Sequence, residues 1–219
     1  MTAQRKGILL TLATTIGIIV AVVSLFVYTM TQPRILSVKE LVNNGAILYE
    51  HPLDLQPFAL VDHNGKPFTD KDLAGQWTLM FFGFSHCGGF CPTTLALLNQ
   101  FVQQLEPDIA ANTQVIMVSV DPARDTPARL KDYMTTFNPE FVGLTGNNDA
   151  ITALSKQFYI AVQQPNDQAV SSEDGYNVAH GEQIVLVNPE GQYHGFFKPP
   201  FALARLKTTY QSMILTYRH

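Results

Sequence analysis

Apolar positions along the chain fall into three regimes. From Gly7 to Met30, "GILLTLATTIGIIVAVVSLFVYTM", they run for 24 residues without a charge. Residues 31–50, "TQPRILSVKELVNNGAILYE", mix short apolar and polar steps and read as a tether. Beyond them, short apolar runs alternate with stretches of helical spacing. "FALVDHNGKPFT" (58–69) places apolar residues on either side of Asn64-Gly65, a hairpin signal. "WTLMFFGF" (77–84) and "TQVIMVSV" (113–120) are continuous apolar runs, as expected of strands buried on both faces. After Pro92, residues Leu95, Leu98, Phe101, Val102 and Leu105 keep the spacing of one helix face. Thr126 and Pro127 supply a helix cap and first turn for "ARLKDYMTTF". Further on come a short strand "FVGLTG", a helix over 149–158, a hairpin "QIVLVNPEGQYHGFF" turning at 189–191, and a closing helix over 201–217.

Strands alternating with helices of ten or more residues, then a hairpin and a final helix, predict a mainly parallel sheet covered on both faces. The order β-α-β-α-β-β-α, with two cysteines at the first strand-to-helix junction, is the pattern of a thioredoxin-like α/β fold. The long apolar run would extend roughly 36 Å as a helix at about 1.5 Å per residue, enough to cross a hydrocarbon core of about 30 Å. A cleaved signal peptide fits less well: the run exceeds the roughly 7–15 residues of such a core, and "TQPRIL" lacks a small-x-small cleavage site. The expected organisation is a short cytoplasmic N-terminus (1–6), a transmembrane anchor (7–30), the tether (31–50) and one globular domain (51–219). Arg5 and Lys6 on the short side favour a cytoplasmic N-terminus, with the body on the outer face. No amphipathic, Arg-rich segment precedes the anchor, so a bacterial inner membrane with a periplasmic domain is expected rather than a mitochondrial one.

Charge changes the picture mainly by exclusion. Charged residues make up 15% of the 219-residue chain and the net charge is −4, so the clustered Lys and Arg of a nucleic-acid surface are missing. Chemistry concentrates in "FGFSHCGGFCPTTL" (82–95), which holds both cysteines of the chain, Cys87 and Cys91. Pro92 suits the first turn of a helix, which places Cys91 at or just before its cap, facing free N–H groups that depress a thiol. Gly88 and Gly89 let the intervening loop bend so that both sulfurs share one side. A disulfide here would close a very short loop and contribute little to stability. A zinc site of four cysteines is excluded by count, which leaves redox exchange or a soft metal. Thiolates favour copper(I), and an imidazole completes a three-coordinate site. Of six histidines, His51, His63, His194 and His219 read as surface residues, and His86 as a neighbour directed away from the sulfurs. His180, in "GYNVAHGEQIVLV", ends a polar loop just ahead of a buried strand and is the best-placed third donor.

The chain also resembles the SCO/SenC family of membrane-tethered copper proteins that assist cytochrome c oxidase assembly. "PFALVDHNGKPFT", "LAGQWTLMFFGFSHCGGFCPTTL", "VIMVSVDPARDTPARLKDY" and "YNVAHGEQIVLVNPEG" stand in that family's order, and the likeness runs from about Asn44 to the end. The resemblance implies that Cys87, Cys91 and His180 are copper ligands for Cu(I) and Cu(II), with His86 also matching. Asp121, in "SVDPARDTP", matches a family aspartate and reads equally as a turn residue. The implied role is a metallochaperone for the copper-bearing subunit of the oxidase, exchanging copper with other carriers. The alternative is a thiol–disulfide oxidoreductase that reduces the target's cysteines and is itself served by thiol reductants. On that reading Cys87 and Cys91 would also be the catalytic pair. Two departures stand out: Gly88, Gly89 and Phe90 replace the usual Pro-Asp-aliphatic loop, and Ala179 and Gly181 flank the histidine. The second removes a side chain expected to orient the imidazole.

Overall fold

The computed structural model describes residues 3–31, 34–163 and 178–217. Helix α1 (Ala3–Thr31) takes up the long apolar run, and its large apolar side chains from Ile8 to Met30 are exposed. Residues 31–50 are not a bare tether. They contribute α2 (Val38–Asn43) and β1 (Ala46–Leu53), and β1 pairs antiparallel with the last strand of the sheet. This pairing is non-local, so the polar-apolar mixture of that segment gave no sign of it.

Next come β2 (Ala59–Asp62), β3 (Pro67–Thr69), β4 (Trp77–Gly83), α3 (Phe90–Gln103), α4 (Pro107–Ala111) and β5 (Thr113–Ser119). The chain finishes through α5 (Pro127–Thr135), β6 (Val142–Thr145), α6 (Asn148–Gln157), β7 (Ile184–Val187), β8 (Tyr193–Phe197) and α7 (Leu203–Tyr217). Among the described residues the strands form one sheet in the order β1-β8-β7-β4-β5-β6-β2-β3. Only β4–β5 and β5–β6 are parallel, so the sheet is mixed rather than mainly parallel. The two hairpins, β2–β3 and β7–β8, together with β1–β8, β4–β7 and β2–β6, supply the antiparallel pairs.

Strand alternation divides the core into two layers. Leu79 and Phe81 of β4 pack with α3, α5 and α7 through Leu98, Leu130 and Tyr210. Met80 and Phe82, on the opposite face, pack with α6 through Ile151 and Phe158. Local signals set several boundaries. Thr126 accepts the Arg129 N–H at 3.2 Å with Pro127 at the start of α5, and Asn147 accepts the Ala150 N–H at 2.7 Å to begin α6. Central strand β4 is buried throughout and ends at Gly83, where the chain leaves the sheet toward the cysteines.

Candidate metal centre

The loop after β4 is bound down from beneath. Ser85 donates its N–H to Asp125 Oδ2 at 3.0 Å and its hydroxyl to Oδ1 at 2.5 Å, while Ser119 at the end of β5 donates to Oδ2 at 2.6 Å. Asp125 is fully buried. Arg129 Nε donates to Ser85 Oγ at 3.2 Å, which brings a guanidinium to the edge of the network. A carboxylate with three donors is stable in such a place, whereas one without them is not. The chain then turns, with Cys87 N–H directed to the Phe84 carbonyl at 3.2 Å.

Helix α3 begins earlier than expected, with Gly89 as its cap, Phe90 first and Cys91 second. The Cys91 side chain therefore enters the core instead of facing the open N–H groups. A Cβ on Gly83 would lie 2.8 Å from Cys91 Sγ and 3.0 Å from the Phe81 ring, so the strand end must be glycine for this sulfur to fit. Cys87, half-buried, takes the place foreseen for Cys91: its sulfur accepts the Cys91 N–H at 3.4 Å. Burial works to raise the Cys87 thiol, but N–H groups of Cys91, Gly89 and Phe90 outweigh it and hold the thiol below its ordinary value. Burial pushes the Cys91 thiol far up, and the neighbouring charges of Cys87 and Asp125 add to this. The depressed thiol is thus Cys87, because helix start and side-chain direction decide which sulfur meets the amides.

His180 arrives from the other side of the sheet. It forms a bridge with Val162, secured by Gln163 N–H to Ala179 O at 2.9 Å and Gly181 N–H to Ala161 O at 3.1 Å. Its ring meets Phe84 edge-on with centroids 6.0 Å apart and lies 6.2 Å from Phe90. Nδ1 stands 3.1 Å from the Gly181 carbonyl. A proton on Nδ1 satisfies that carbonyl and leaves the Nε2 lone pair free for a metal. Backbone thus fills the orienting role for which the flanking residues offered no side chain.

Ligand atoms of Cys87, Cys91 and His180 all lie within 4.8 Å of one another. Donors around one ion with bonds of about 2.3 Å stand about 4 Å apart, so small side-chain movements suffice. Two sulfurs and one imidazole suit a soft or borderline ion such as copper. Gly88, Gly89, Phe90, Val178 and Glu182 border the opening above them.

The remaining candidates fall elsewhere. His86 Nδ1 lies 3.1 Å from Ser85 Oγ and 3.9 Å from Asp125 Oδ1, so it faces the supporting network. Asp121 pairs with Arg124, and its carbonyl accepts the Asp125 N–H at 2.9 Å, which makes it a turn residue one step from the site. His51 is exposed on β1. His63 and His194, expected at the surface, are buried, and His63 Nδ1 accepts the Gly143 N–H at 3.0 Å. His219 lies outside the described residues. Sequence reasoning missed Asp125 and Phe90. The sequence signal for Asp125 is its place in "SVDPARDTP", four residues after Asp121.

Residues 50–214 match the SCO1/SenC family model. The mitochondrial protein SCO2 of Saccharomyces cerevisiae is 39% identical over 137 residues, covering 63% of this chain and 45% of that protein. A putative copper-binding protein of Stutzerimonas stutzeri is 38% identical over 148 residues, covering 68% of this chain and 71% of its own length. The crystal structure of yeast Sco1 with copper bound superimposes with a TM-score of 0.67 at 31% identity, over 76% of this chain and 90% of that one. The chain therefore spans about half the length of several curated relatives that it matches.

Proposed function

Because the chain belongs to the SCO1/SenC family, we propose that it is a copper carrier tethered by α1 to a bacterial inner membrane. Its periplasmic body delivers copper to the dinuclear site of the copper-bearing subunit of cytochrome c oxidase. The convergence of Cys87, Cys91 and His180 within 4.8 Å carries this reading.

Each residue then has a part in loading and release. Two thiols lose their protons when the ion binds, and neutral His180 supplies the third donor through Nε2. Cys87 is partly open to solvent and already favours the thiolate, so it is the ligand an incoming sulfur can replace first. Cys91 is buried against Gly83 and holds the ion until the exchange is complete. Transfer is an exchange of soft ligands between two proteins that preserves the oxidation state of the ion.

The asymmetry of the two thiols favours a second reading, in which the same pair reduces a disulfide in the target. Cys87 thiolate attacks one target sulfur, forming a mixed disulfide and expelling the other as a thiolate. Cys91 then gives up its proton and attacks Cys87 Sγ, which leaves a Cys87–Cys91 disulfide and two reduced target thiols. A separate dithiol reductant restores the pair by the reverse exchange.

Replacing His180 by Ala separates the two. The full chain in detergent is expected to lose Cu(II) binding by at least tenfold while thiol–disulfide exchange stays within about twofold, because exchange needs no imidazole. Unchanged copper affinity with high reductase activity would reject the carrier and leave the reductant.

A further inference from the structure

Beyond α1, large exposed apolar side chains of the described body are few, and three of the five stand within eight residues of one another. They are Ile35 (54% exposed), Val38 (72%) and Val42 (51%), the others being Leu53 and Tyr159. Val38 and Val42 lie one helical turn apart on α2, and Ile35 stands just ahead of its cap. The opposite side of this segment is fixed to the body. Leu36 and Leu41 are buried, Leu36 N–H donates to Ser212 Oγ of α7 at 2.7 Å, and Ser37 and Glu40 form a reciprocal cap. β1 follows directly and is paired with β8. The apolar face consequently cannot turn inward.

Position says what covers it. Met30 ends the apolar run of α1, and Leu36 is six residues further on, a reach of at most about 20 Å even when fully extended. Arg34 and Arg205 border one depression beside α2, and Lys39 is exposed next to Val38; Glu40, paired with Arg34, offsets part of this charge. An exposed apolar helix face flanked by cations and held this close to a membrane span has the make-up of an interfacial helix.

We propose that α2 lies in the headgroup layer of the membrane that α1 crosses, with Val38, Val42 and Ile35 toward the acyl chains and Arg34, Lys39 and Arg205 against anionic lipid phosphates. This rests on α1 being the membrane anchor. It gives the body one orientation instead of free motion on a leash.

Depth-resolved quenching tests this in the full chain reconstituted in nanodiscs containing phosphatidylglycerol. Val23→Trp, Val38→Trp, Val42→Trp and Leu53→Trp are made singly, and emission is compared with that of the parent, which has only buried Trp77. The expected result is that nitroxide lipid labelled near the headgroup quenches the added emission at positions 38 and 42 by half or more, with position 53 unaffected. Lipid labelled deep in the chain should quench position 23. Quenching at 23 but not at 38 or 42 overturns the proposal and leaves the anchor standing. Protection of 38 and 42 from both lipid and aqueous iodide overturns it in favour of a protein cover. Absence of quenching at 23 overturns the anchor and this proposal together. Exchanging phosphatidylglycerol for phosphatidylcholine should at least halve the effect at 38; no change would remove the role given to Arg34, Lys39 and Arg205.

Discussion

Two buried polar groups at opposite ends of β4 are treated in opposite ways. At the outgoing end, Asp125 receives three hydrogen bonds and ties together the loop that carries Cys87. At the incoming end, roughly 20 Å away along the strand, His194 of β8 lies between the rings of Trp77 and Tyr217, and neither ring nitrogen has a partner among the described residues. Position under the site separates them. Beneath the cysteine loop both oxygens of the carboxylate are used; at the other end the imidazole serves as an aromatic filler. The acid sensitivity of His194 and the support of the cysteine loop therefore lie in different regions.

Removing the bonded group should have the largest effect. Asp125→Ala strands the donors of Ser85 and Ser119, and is expected to cost about 3–5 kcal/mol in denaturant unfolding. Asp125→Asn keeps the shape and part of the bonding and should cost less. If Asp125→Ala unfolds at the denaturant midpoint of the parent, the contrast between the two ends is lost.

Acid should act through the other end. Burial lowers the His194 pKa to about 4, whereas the unfolded chain takes up a proton near 6.5. Between these values the unfolded state binds more protons, so stability falls as pH drops through the window, by up to about 3 kcal/mol in total. Above about 6.5 this group contributes no pH dependence. Replacing His194 by Phe should flatten that limb of the stability curve and leave copper binding unaltered. A curve of unchanged slope would place acid sensitivity elsewhere.

The smallest effect is expected at Phe90, which touches His180 on one side and Phe201 on the other. Phe90→Ala frees the imidazole without disturbing the Asp125 network, so a loss of about tenfold or less in Cu(II) affinity is predicted, with little change in unfolding midpoint. A larger loss than that of His180→Ala would show that the ring supports the dithiol as well.

Local pattern was enough for much of this protein. A 24-residue apolar run, the buried β4 and β5 strands and the cap at Thr126 are all short-range properties of the chain, and each is found where the sequence puts it. The likeness to known proteins also stood in contiguous motifs. What no window could contain was decided by packing. β1 found its partner in β8 across most of the sequence, and so changed a tether into a sheet edge that fixes α2. Cys91 turned into the core because Gly83 leaves room for its sulfur, which moved the amide donors to Cys87. His63 and His194 were buried by neighbours from other strands and helices. Helix and strand periodicity report which face of an element is apolar; which element covers that face, and which side chain meets a given donor, depends on contacts between distant residues that exist only once the chain has folded.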